Sequence, residues 1–139
     1  YTPVVFHSFQ TVNGERLPIY HTNVMMCVAD QFVVICLDCI DDETERVNVV
    51  NTILESGKEI IEISEDQMQQ FAGNMLQVQN EDGKKFLVMS ETAYNSLAPE
   101  QISAIKKYNE IIYSNLETIE INGGGSARCM LAEVFLPKK

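Results

Sequence analysis

The sequence predicts an α/β fold assembled from a repeated strand-strand-helix-strand unit. Three observations carry that expectation. Strand-like apolar runs and one amphipathic helix follow the same order over residues 24–63 and again over 75–121, and a last strand opens at 130–136. The unit junctions match in sequence: Asn23-Val24-Met25 lines up with Asn74-Met75-Leu76, and Ala72-Gly73-Asn74-Met75-Leu76 with Ala127-Arg128-Cys129-Met130-Leu131. The length, 139 residues, suits one core, so residues 1–139 read as a single partial domain.

Each element has its own signal. Residues 4–10 are rich in β-formers and read as a strand ending before the Asn13-Gly14 turn. Residues 18–23 are a loop leading into buried strands over 24–28 and 32–37. Asp41 or Asp42 caps a helix whose inner face is Val47, Val50, Ile53 and Leu54, and Gly57 closes it. Alternating Glu and Ile over 59–63 makes a strand with one buried face. Ser64 caps a short turn of helix over 65–71. Strands follow at 75–78 and 86–89 around Glu81-Asp82-Gly83, then a short helix or turn at 92–97. Pro99 opens a helix carrying Ile102, Ile105, Tyr108, Ile112 and Leu116 on one face, and residues 118–121 return as a strand.

Charge narrows the function. Ten Lys and Arg stand against 20 Asp and Glu, a net charge of -10, which argues against nucleic-acid or anionic-membrane partners. No apolar run is long enough to span a bilayer, and no secretory signal is visible. Cys27, Cys36 and Cys39 lie in apolar runs and read as buried reduced thiols, which suits a cytoplasmic protein. Cys36-x-x-Cys39 has redox spacing, but on a strand its members face opposite sides. No metal-ligand spacing occurs, and no cofactor is implied. His7 reads as a half-buried structural residue, Asp38, Asp41 and Asp42 as caps and solvated charge, and Met25, Met26, Met75 and Met130 as core.

The repeat puts Asn23, Asn74 and Cys129 at one position in three successive units, with His21 two residues before the first. Units ringing a pseudo-symmetry axis bring such positions into one cleft. Cys129 follows Gly123-Gly124-Gly125-Ser126-Ala127-Arg128, a backbone able to approach a ligand closely. A thiol there is a candidate nucleophile. The plainer alternative is a glycine-rich turn before an edge strand, with Cys129 as a small hydrophobe.

These residues, with Ile19-Tyr20-His21-Thr22-Asn23-Val24-Met25-Met26 and Ala72-Gly73-Asn74-Met75, resemble the guanidine-modifying enzymes of the pentein superfamily, nearest the arginine deiminase and citrulline hydrolase-like branch. The resemblance implies part of an α/β propeller of five units, with this chain as its C-terminal half. It implies a hydrolase acting on a C–N bond of an arginine-like or citrulline-like guanidino or ureido substrate. Cys129 would be the nucleophile and His21 the general acid/base, with Asn23, Asn74, Arg128, Gly124 and Gly125 around the substrate. The missing N-terminal half would supply an acidic substrate-binding residue, which leaves this portion inactive alone and prone to self-association. Where arginine deiminases carry His-x-Asp, this chain has His21-Thr22-Asn23, which leans toward a neutral ureido group. A non-catalytic binding module of the same fold and an amidinotransferase are the alternatives.

Overall fold

The computed structural model of the protein describes residues 2–132. A hairpin comes first. Its strands, β1 (Phe9–Val12) and β2 (Glu15–Pro18), are joined by Asn13-Gly14, both at positive φ (52° and 81°), as a tight two-residue turn requires. The strand expected at 4–10 therefore starts only at Phe9. The turn sets the register at Phe9↔Pro18, and the upstream residues have no partner strand.

Two units of one design follow. In the first, a 3-10 turn (Thr22–Val24) leads to β3 (Met26–Val28) and β4 (Phe32–Ile35), then a 3-10 turn (Leu37–Cys39), α1 (Glu43–Glu55) and β5 (Glu59–Glu62). Strand β4 is the centre of its sheet, antiparallel to β3 and parallel to β5, and it is buried along its whole length. The Asp42 carboxylate accepts from Glu45 N and caps α1, with Glu43 and Glu45 at its positive end. Helix α1 buries Val49 and Ile53, whereas Val47 and Leu54 of the expected face are 52% and 54% exposed. Arg46, on the same helix, donates from Nε and Nη2 to the Ile40 carbonyl at 2.9 and 2.7 Å, and Val49 and Ile53 turn to the core.

Between the units stands α2 (Glu65–Gln69), where Ser64 and Gln67 form a capping box. Strands β6 (Leu76–Gln79) and β7 (Lys85–Ser90), helices α3 (Glu91–Ser96) and α4 (Pro99–Lys106), and β8 (Glu110–Ser114) make the second unit. The ladder repeats: β6/β7 antiparallel, β7/β8 parallel. The helix expected to reach Leu116 stops at Lys106. Glu110–Ser114 is rich in β-formers and finds a ladder with Phe86 to Ser90, so pairing overrides a helical spacing that continued by coincidence. Residues 118–121, expected as a strand, belong to α5 (Glu117–Gly123). The second unit thus closes at Ser114 rather than 121, and α5 stands after β8 as α2 stands after β5. Of the strand expected at 130–136, Met130 lies in a 3-10 turn (Ala127–Met130), and residues 133–136 fall outside the described residues.

One apolar cluster runs through both units, with Met25, Phe32, Ile35, Ile40, Ile63, Met75, Leu87 and Ile105 fully buried. Met130 is instead exposed. The units meet at Gly73, where an added Cβ would lie 2.4 Å from the Val24 carbonyl oxygen. Among the described residues the units do not close into a ring, and no helix is long and apolar enough to cross a membrane.

Three side chains differ from expectation. Cys36 and Cys39 do not face opposite ways: β4 ends at Ile35, the chain wraps the 3-10 turn, and the two sulfurs lie 3.1 Å apart, with Met68 Sδ 3.3 Å from Cys39. Both are buried and unpaired by a disulfide, as is Cys27, whose thiol burial pushes up to about 11. His7 is exposed rather than half-buried, with its backbone N–H and Nδ1 on the Glu45 carboxylate at 2.6 and 2.9 Å.

Candidate active site

The turns that open successive units face one cleft of about 640 Å³. His21, Asn23, Asn74, Gly124, Gly125 and Cys129 all line it. Arg128 does not. Its backbone N–H takes part in the site by donating to Asn74 Oδ1.

Asn74 ties the turns together. It is 5% exposed, and each end of its amide is engaged. Nδ2 donates to the Asn23 carbonyl at 3.1 Å and lies 3.3 Å from Cys129 Sγ, and Oδ1 accepts from Arg128 N at 3.1 Å. One side chain thus spans all three equivalent positions. In the first turn, His21 Nδ1 accepts from Asn23 N at 3.1 Å. The neutral ring then carries its proton on Nε2.

The Cys129 turn is built from short polar links. Helix α5 ends at Gly124, whose φ of +66° is the left-handed conformation glycine adopts without strain. Gly125 packs against the thiol, since a Cβ there would sit 3.2 Å from Cys129 Sγ. The Ser126 carbonyl accepts from Cys129 N at 3.1 Å. Glu120, only 7% exposed, holds this loop from behind: its carboxylate accepts from Ser126 Oγ at 2.6 Å and from Thr92 Oγ1 at 2.7 Å. Two charge-assisted bonds compensate a buried carboxylate. In the turn after α2, Phe71 has φ +64° and lines the cleft, a costly conformation for a bulky residue.

Sequence reasoning missed one wall. Gln10, Thr11, Val12 and Asn13 of the hairpin line the cleft, with Tyr20, Met68 and Gln69. Asn13-Gly14 marked the turn, but nothing local says that a hairpin folds back over a site formed by later units. Glu120 was equally hidden, because its partners come from α3 and the loop beyond α5. Among the described residues no group of three or more His, Cys, Asp or Glu could hold a metal ion.

Repeated ββαβ units whose opening turns share one cleft define the class of protein. A family model described as N,N dimethylarginine dimethylhydrolase, eukaryotic, matches residues 1–136, and the chain belongs to that family, among the guanidino-modifying enzymes of the pentein superfamily. No curated protein matches the chain.

Proposed function

We propose that this chain carries the nucleophile and the acid/base group of a hydrolase that cleaves a C–N bond in a guanidino or ureido substrate. The observation that supports the reading is the single cleft shared by Cys129, His21, Asn23 and Asn74, in a family named for hydrolysis of dimethylarginine. Cys129, as thiolate, attacks the central carbon of the planar group and forms a C–S bond. The C–N bond to the leaving amine breaks as His21 delivers a proton to that nitrogen. Water then attacks the thiouronium or carbamoyl intermediate, gives a proton to His21, and releases the thiolate. Delivering a proton requires the imidazolium, in which Nδ1 also carries hydrogen, so the ring gives up its bond from Asn23 N during the cycle.

Gly125 lets the backbone approach the reacting group, Gly124 turning the chain toward it with its own N–H on the Glu120 carbonyl. Asn23 orients the substrate by a hydrogen bond, and Asn74, engaged at both ends of its amide, holds the turns around it. Asn23 carries no charge to pair with a guanidinium, which favours a citrulline-like ureido group over arginine within this chemistry. The fold is read as part of a five-unit propeller, with an acidic substrate-binding residue supplied by an N-terminal half. The same nucleophile serves amidino transfer if an amine replaces water.

The test is product release from dimethylarginine, citrulline and arginine by the whole parent protein. The reading expects turnover of at least one of them and its loss in Cys129→Ser and His21→Ala. Turnover unchanged in Cys129→Ser overturns it.

A further inference from the structure

We infer that Arg16 is a positioning residue for this site: it latches the β1–β2 hairpin against the acidic starts of α1 and α2, so that the hairpin forms the fourth wall of the Cys129 cleft. The inference rests on the cleft being the reaction site. A two-stranded hairpin is marginal by itself, and this one has little apolar anchorage. All of β2 is exposed, and Val12 and Leu17 are exposed as well. Its two ends are held where Phe6 and Ile19 pack on the core, but its tip reaches past them to the cleft.

Polar links hold that tip, and Arg16 is their centre. Its Nη2 donates to Asp41 Oδ1 at 2.5 Å and to the Asp38 carbonyl at 2.8 Å, and Nη1 donates to Glu65 Oε2 at 2.7 Å. Nε faces both Asp41 oxygens at 3.2 Å, and Nη1 also reaches Thr11 Oγ1 at 3.3 Å. The same Glu65 carboxylate takes the Thr11 N–H, and Gln69 Nε2 donates to the Thr11 carbonyl at 3.0 Å. Thr11 is itself a cleft residue. One guanidinium therefore joins β2, the turn before α1, the start of α2 and the cleft wall. A planar five-donor head can do this, whereas an ammonium cannot fill all these positions.

Charge adds direction. Asp41, just before α1, and Glu65, at the start of α2, both meet Arg16, the cation the hairpin brings to them. Without it Asp41 keeps only the more distant charge of Arg46 and Glu65 only the Thr11 N–H, and the hairpin lifts away. The cleft then loses Gln10 to Asn13, while Cys129, Asn74 and His21 keep their own bonds. Substrate binding should weaken much more than chemistry.

The experiment compares wild type, Arg16→Met, Arg16→Lys and Glu65→Gln in the whole parent protein. It reads amide hydrogen exchange over residues 9–18, alkylation of Cys129 by a bulky maleimide, and the KM-against-kcat split. Arg16→Met should speed exchange of the hairpin by about tenfold or more and raise KM by a similar factor, with kcat within about twofold. Maleimide should reach Cys129 faster, and Arg16→Lys should fall between the two. Raising salt on wild type from about 0.05 to about 1 M should move alkylation the same way, with no variant required. Unchanged hairpin exchange in Arg16→Met overturns the latch. Faster exchange with unchanged KM and unchanged alkylation overturns the wall. If wild type turns over none of the substrates, the proposed reaction fails, and exchange with alkylation decide the latch without it.

Discussion

Asn74 shows how one amide can organise a site. It bridges the Asn23 carbonyl, the Arg128 N–H and the Cys129 thiol. Replacing it with Ala leaves two half-buried backbone groups without this partner, so Asn74→Ala should cost about 1–3 kcal/mol in urea unfolding, with turnover falling as the Cys129 turn loosens. Gly125→Ala makes a sharper contrast. Its Cβ would press on Cys129 Sγ at 3.2 Å from a loop position, so turnover should fall at least about tenfold while stability changes by less than about 1 kcal/mol. A Gly125→Ala variant with normal turnover would mean the close approach is dispensable. That Asn23, Asn74 and Cys129 would share one cleft was legible because the junctions repeat, and Gly124 was legible from the glycine run before Cys129. Glu120 was not, since a lone Glu in a run of Thr, Ile and Glu gives no sign that Ser126 and Thr92 will enclose it.

At the scale of elements, the hairpin should respond to acid. Arg16 holds the carboxyls of Asp41 and Glu65 below their usual range: its hydrogen bond leads for Asp41, and for Glu65 the Thr11 N–H and Arg16 together outweigh the opposing effect of burial. Arg46 adds to the effect on Asp41, and Arg16 itself stays charged throughout. A depressed folded pKa gives stability that is present above the ordinary carboxylate value and lost as pH falls through the folded one. Hairpin amides should therefore stay protected from neutral pH down to about 4.5 and lose protection below about 4. Protection lost between pH 7 and 5 would contradict this source. Elements set by local signals were legible: the Asn13-Gly14 turn, the Asp42 and Ser64 caps, and the buried run of β4. Strand β8 was not. Ile105, Tyr108 and Ile112 share a helical spacing, and only the β7 ladder, a long-range partner, decides for a strand. Its amides should exchange with the protection of a paired strand, most strongly at Ile111, opposite buried Leu87.

For the molecule as a whole, the repeat is the organising fact, and its true period emerged only when β8 replaced the tail of a long helix. The two units then match from opening turn through strand, strand, a helical crossover and strand, with a short helix following each, and the second crossover is split into α3 and α4. Gly73 joins them, because only a residue without Cβ fits against the Val24 carbonyl. Gly73→Ala should destabilise the fold by about 1–3 kcal/mol, seen as a lower urea midpoint, and should reduce turnover with it by shifting Asn74 from Asn23. The central claim is that Cys129 is the nucleophile of a C–N hydrolase. Its most direct test is amine release from dimethylarginine or citrulline by the protein carrying Cys129→Ser. A loss of at least about 10³-fold at unchanged stability is the predicted result, and turnover equal to wild type would contradict it.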